Sequence, residues 1–353
     1  MSYIVDKLYT EANLSDDEFM CLIQTDEYDE LLSARADSRR REVYGTDVYI
    51  RGLIEFTNYC KNDCYYCGIR RSNRKASRYR MSAEEILSIC KQGYRLGFRT
   101  FVLQGGEDPY FTDKRVCEIV SEIRGRFPDC AITLSIGEKS RASYKAYFEA
   151  GANRYLLRHE TASDEHYRQL HPDDMKLSNR KRCLFDLKEI GYQVGAGFMV
   201  GSPFQKPENI ISDFRFLQEL KPDMIGIGPF ISHCDTPFGQ EKYENGSFSM
   251  TLRLISILRL MFPYALIPAT TALATIHPFG RELGIKAGAN VVMPNLTPEK
   301  DKGKYLLYDN KICLTEDPAM CREIIDRKIN SIGYNVVVSV GNPKCDFTIE
   351  NKE

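Results

Sequence analysis

From about residue 47 to about residue 296 the chain alternates short apolar, β-branched runs with amphipathic stretches of helical period, a rhythm that admits few folds. The strand-like runs are "DVYIRGLIEF", "TFVLQGG", "AITLSI", "RYLLRHE", "QVGAGFMVG", "MIGIGPF", "ALIPATTA" and "ANVVMPN". Between them lie helical patterns such as "SAEEILSICKQGYRLG", "TDKRVCEIVSEIRGRF", "NRKRCLFDLKEIG", "PENIISDFRFLQEL" and "TLRLISILRLMF". About eight strand-helix units in about 250 residues have the length and regularity of an α/β chain closed into a (βα)8 TIM barrel. A doubly wound open sheet competes on the same rhythm. The pattern divides the chain into an N-terminal helical extension (1–46), the barrel (47–296) and a C-terminal segment packed on it (297–353). Ser15 is expected to cap the second helix of the extension.

A parallel barrel gathers the loops leaving the carboxyl ends of its strands on one face, where active sites are built. Here Cys60, Cys64 and Cys67 follow the first strand, "GGEDP", "GEKS", "HETA", "GSPF" and "ISHCDTP" follow the second to sixth, and Thr270 and Thr271 stand at the seventh. Lys+Arg number 48 against 49 Asp+Glu, so the formal net charge of -1 argues against nucleic acid or an anionic membrane as a partner. No uncharged apolar run reaches bilayer length and the first residues do not read as a signal peptide, so the expected location is cytoplasmic. In that compartment the 12 cysteines are expected as thiols or metal ligands. Cys21, Cys90, Cys117, Cys130 and Cys183, each alone in an apolar-periodic segment, read as small buried hydrophobes.

The run "CKNDCYYC" sets three thiols at gaps of three and two residues, and no Cys or His follows for over twenty residues. A structural zinc site would want a fourth ligand nearby. A four-iron cubane held at three irons keeps one open for an exogenous ligand, as a catalytic cluster requires. With Tyr66 just before the last cysteine, the run resembles the signature of the radical S-adenosylmethionine (SAM) superfamily. The resemblance implies a reduced 4Fe-4S cluster on Cys60, Cys64 and Cys67 that binds SAM through its open iron and splits it to methionine and a 5′-deoxyadenosyl radical. It also implies that "GGE", Gly105, Gly106 and Glu107, receives the SAM amino group, that Met199 of "GAGFMVG" lines the adenine, and that Tyr66 and Ser135 touch the cofactor. Taken alone, a glycine pair before an acid is only a turn, and Met199 is equally a core residue.

A longer set of motifs, "LIEF", "RYRM", "LQGGEDPY", "RYLLRHETA", "GAGFMVG", "GIGPFISHCDTP", "IPATTA" and "GANVVMPNLTP", is similar to the HydE group of FeFe-hydrogenase maturases from about Arg51 to Tyr308. That resemblance implies Glu160 on the ribose hydroxyls and Arg180 on the carboxylate of SAM, and Arg51, Thr133, Arg158, Thr270, Thr271, Tyr305 and Tyr308 around a substrate cavity in the barrel. The competing reading for the charged members is an internal ion pair, Arg51 or Arg158 with Glu55 or Glu160. The implied substrate is an organometallic one, a cysteine-bound iron carbonyl cyanide synthon whose sulfur is attacked while the diiron subsite is assembled. The implied partners are other hydrogenase maturases and a reductant such as ferredoxin or flavodoxin. Alternatives are a methylornithine synthase-like mutase, which shares the "GEDPY" turn, and a non-catalytic iron-sulfur or zinc-binding protein. One departure concerns the tail: Cys313 and Cys321 match two ligands of an accessory cluster in some relatives, but Ile324 stands at the third, so two ordinary thiols are expected.

Overall fold

A computed structural model describes residues 3–312 and 317–345. Among them the strands are β1 (Asp47–Ile50), β2 (Gly52–Thr57), β3 (Thr100–Gly105), β4 (Ala131–Ser135), β5 (Arg154–Leu156), β6 (Gln193–Ala196), β7 (Met199–Val200), β8 (Met224–Ile225), β9 (Gly228–Pro229), β10 (Val291–Val292) and β11 (Asn335–Val337). The order β2-β3-β4-β5-β6-β8 is parallel throughout. Beyond β8 the seventh stave is held by single bridges, Met224 to Leu266 and Pro268 to Val291. β10 then pairs with β1, which continues into β2 after Arg51. The first stave thus neighbours both the second and the eighth, so the sheet closes into the expected barrel and the open sheet is excluded.

Local chemistry starts the helices where the sequence places them. Ser15 and Ser82 each close a capping box with the glutamate three residues on, Glu18 and Glu85. The helix Ala83–Arg95 turns Ile86, Leu87, Ile89 and Cys90 onto the barrel. Each such apolar side chain contributes about 1.5–3 kcal/mol when fully buried. Cys130 and Cys183 are buried as well, but Cys21 is exposed: its helix, Asp16–Gln24, is covered on the face of Phe19, Leu22 and Ile23 only. The helix Asp164–Leu170 has no apolar period long enough to be read from sequence; Ser163 caps it and Tyr167 and Leu170 anchor it.

The end of the barrel opposite the loops is closed twice. Arg40, fully buried in the helix Asp29–Tyr44, donates to the carbonyls of Ala289 (3.1 Å), Gly45 (2.9 Å) and Asp47 (2.7 Å). On the other side β11 pairs with β1, and Arg154 donates to the carbonyls of Val340 and Gly341 (both 3.1 Å) and to Asn342 Oδ1 (2.7 Å). These contacts leave the carboxyl-end rim as the open face. Among the described residues no helix is long and apolar enough to cross a membrane.

Candidate active site

The cysteine loop is fixed at its base by Asn58, whose amide donates to the carbonyls of Ser77 (2.8 Å) and Lys304 (2.7 Å) and accepts from Tyr79 N (2.9 Å). The turn after β3 packs straight onto it. A Cβ on Gly106 would stand 2.2 Å from Tyr59 O and 2.7 Å from Cys60 Cβ, so only glycine permits that approach. The same turn is anchored by Asp108, which takes a two-point contact from Arg80 (2.7 and 2.9 Å) and the Thr57 hydroxyl (2.7 Å). "RYRM" and "GEDPY" are therefore two halves of one clamp behind the cysteines.

Cys60, Cys64 and Cys67 are partly exposed at the rim. Burial pushes all three thiols up, Cys67 to about 12, and the charges of Cys67 and Cys60 push Cys64 further. Three thiols that oppose one another's ionisation need a strongly cationic partner to become ligands. Three free thiols on one loop fit a cubane held at three corners.

Beside the loop runs a polar cleft of about 430 Å³ bordered by Lys61, Glu107, Glu138, Met175 and Asn179. Met175 Sδ lies 3.9 Å from Cys64 Sγ. Glu107 accepts from Glu138 N (2.9 Å) and pairs with Lys61 (3.2 Å). Arg180 is ion-paired with Glu138 and donates to Arg158 O (2.8 Å), so an incoming carboxylate would meet a guanidinium that already has a counterion. Tyr66 meets His171 Nε2 through its hydroxyl (3.1 Å), and Met199 sits in an apolar cluster with Phe230, Phe238 and Tyr66. Ser135, half-buried, ends β4. Glu160 holds a left-handed backbone (φ 67°), rare for a residue other than glycine and typical of positions with a task. Its carboxylate is 3.2 Å from Arg158 but forms no aligned hydrogen bond. His159, between them, is structural: fully buried and held neutral by desolvation, it bonds Asp213 (3.1 Å) of the helix Pro207–Leu220.

Inside the barrel a cavity of about 170 Å³ is lined by Glu55, Gln104, Arg158, Met224, Thr270, Thr271, Met293, Tyr308 and Lys311. Tyr305 lies just behind this wall, its hydroxyl 3.4 Å from Gln104 Nε2. Arg51 and Thr133 are lower, in a tight chamber that shares Leu156 and Met224 with the cavity above. Arg51 does not pair with Glu55; it reaches Met224 Sδ (2.8 Å), while its Nε and the Thr133 hydroxyl stay buried without partners. Glu55 is taken instead by Lys311 (2.6 Å), which also donates to Tyr305 O (2.9 Å), and by Asn295 (2.9 Å). Lys311 is a cavity residue that sequence reasoning missed, since one lysine in a polar tail carries no periodic signal. Cys313 lies outside the described residues; Cys321 is buried in the helix Pro318–Ser331.

The profile of the radical SAM superfamily matches residues 54–217. Over 306 residues the chain is 46% identical to the FeFe hydrogenase maturase subunit HydE of Thermotoga maritima, spanning 87% of this chain and 86% of that one. It is 31% identical over 311 residues to the 3-methylornithine synthase of Methanosarcina acetivorans, 87% of each. The crystal structure of methylornithine synthase (PylB) superposes with a TM-score of 0.80 at 28% identity, covering 95% of this chain and 97% of that one. That of the maturase HydG, at 20% identity and a TM-score of 0.79 over 94% of this chain and 74% of that one, shares the fold. The chain belongs to the radical SAM superfamily, whose cofactors are a 4Fe-4S cluster and SAM. Within it, this enzyme is closely related to HydE.

Proposed function

We propose that the enzyme acts in hydrogenase maturation on a small anionic substrate held in the barrel, a cysteine-bound iron carbonyl cyanide synthon on the way to the diiron subsite. The observation that carries this reading is the donor set beneath the cysteine loop. Arg158, Thr270, Thr271, Tyr308 and Lys311 border the cavity, and the unpaired Arg51 Nε and Thr133 hydroxyl lie below it. Glu55 is already neutralised by Lys311, so the surplus of donors suits carboxylate and cyanide groups.

In this reading Cys60, Cys64 and Cys67 hold the cluster, and Glu107 and Arg180 orient the amino-acid end of SAM, with Gly105 and Gly106 giving its backbone room. Glu160 takes the ribose, and Met199, Tyr66 and Ser135 flank the nucleoside. When bound, the cofactors supply a carbon radical for attack on the substrate sulfur. Leu156, Met224 and Met293 give the cavity an apolar wall, which limits water beside that radical. A small one-electron donor such as ferredoxin or flavodoxin suits the exposed Lys61, Arg71 and Arg74 around the cysteine loop.

The test has two stages. Adding SAM to the reduced, reconstituted protein should shift its cluster's electron paramagnetic resonance spectrum; an unchanged spectrum contradicts the open-iron reading. Anaerobic incubation with the synthon and partner maturases should then activate apo-hydrogenase. Turnover of lysine to methylornithine, with no activation, would reassign the substrate.

A further inference from the structure

We propose that His233, Cys234, Asp235 and Asp309 form a site for one divalent transition-metal ion of the zinc type at the barrel rim, distinct from the cluster site. The loop after β9 is folded so tightly, by Thr236 N and Oγ1 on His233 O (3.0 and 2.7 Å), that three consecutive side chains converge. Ligand atoms of His233, Cys234 and Asp235 all lie within 4.8 Å of one another. A second segment places a further carboxylate beside His233, which would close in on a bound ion as the fourth donor. Asp309 Oδ1 is 3.8 Å from His233 Nδ1, while its Oδ2 accepts from Cys234 N (2.8 Å) and its backbone N–H donates to Ser232 O (3.0 Å).

One nitrogen, one sulfur and two carboxylates are the borderline-soft set that favours zinc and its neighbours over magnesium or calcium. Two carboxylates face a single cation, Lys75 on Asp235 (2.7 Å), whose side chain is 79% exposed. Such a surface pair is weak and gives way to a dication at small cost. The imidazole is already buried and held: a Cβ on Gly68 would sit 2.3 Å from His233 Cδ2 and 2.7 Å from its Nε2, so that edge of the ring abuts the residue after Cys67. Asp235 N–H now occupies His233 Nδ1 at 3.1 Å, a contact the ion would replace. Metal here would tie the β9 loop to the Tyr305–Lys311 segment that closes the cavity, clipping the cover in place.

Zinc binding by the untagged, cluster-loaded enzyme tests the proposal, using equilibrium dialysis against Zn²⁺ and absorption at the zinc K-edge. The expected result is one zinc per chain with one sulfur at about 2.3 Å and nitrogen or oxygen neighbours at about 2.0–2.2 Å. Cys234→Ala should remove the sulfur shell, and Cys234→Ala and Asp309→Asn should each weaken zinc at least tenfold with iron content unchanged. Cys21→Ala, at an unrelated exposed thiol, should have no effect. Absence of retained zinc at micromolar concentrations, or retention equal to wild type by both site variants, overturns the proposal.

Discussion

Replacing Lys311 by methionine leaves the Glu55 carboxylate, 1% exposed, inside the barrel with one of its two partners gone. Asn295 still donates to Oε2 at 2.9 Å, but the charge has lost its counterion, and Tyr305 O loses a donor as well. Breaking a buried pair from one side costs about 3–5 kcal/mol. A chain of 353 residues unfolds with an entropy of about 0.7 kcal/mol/K, so the midpoint should fall by about 4–7 °C. The double variant Glu55→Gln with Lys311→Met has no stranded charge and should recover at least about 2 kcal/mol of that loss. Urea unfolding of wild type, both single variants and the double variant, at one pH and without cofactors, gives the coupling directly. A Lys311→Met loss under about 1 kcal/mol, or a double variant no better than the single, would refute the view that this pair is an electrostatic latch on the cavity cover.

Four further outcomes follow from the site. Cys60→Ala, Cys64→Ala and Cys67→Ala should each lose the catalytic cluster; wild-type iron in any one would show that the ligand set is wrong. Because Glu138 is the counterion of Arg180, Arg180→Met should weaken SAM at least tenfold in calorimetric titration, whereas Glu138→Gln should leave its affinity equal or tighter; weaker binding by Glu138→Gln would make Glu138 itself a ligand contact. Gly106→Ala should displace the cysteine loop at a cost of about 1–3 kcal/mol and lower cluster occupancy, and full occupancy would show that the turn yields freely. Burial holds His171 down to about 3, against an ordinary 6.5 when unfolded, so between those values the unfolded chain binds more protons and stability falls as pH falls. Relative to His171→Gln, wild type should lose about 1.4 kcal/mol more between pH 7.5 and 5.5, and parallel profiles would contradict it.

The barrel and the cofactor class were legible because both are written locally. Strand and helix periods repeat over a few residues each, and Cys60, Cys64 and Cys67 share one loop, so their spacing carries the coordination pattern wherever the rest of the chain goes. Cys21 shows where that logic fails: a helical period names an apolar face, but which flank of it meets the barrel depends on the neighbouring helix.

What the tertiary structure alone decided lies in pairs far apart along the chain. Lys311 meets Glu55 across 256 positions, Arg180 meets Glu138 across 42, and Asp309 reaches Cys234 across 75. A charge in sequence has no partner until closure of the sheet sets its distance and the water around it. Residue type and short-range spacing thus determined the fold class and the metal chemistry, while barrel closure chose which charges are neutralised, which buried donors stay unpaired, and which side chains share one rim.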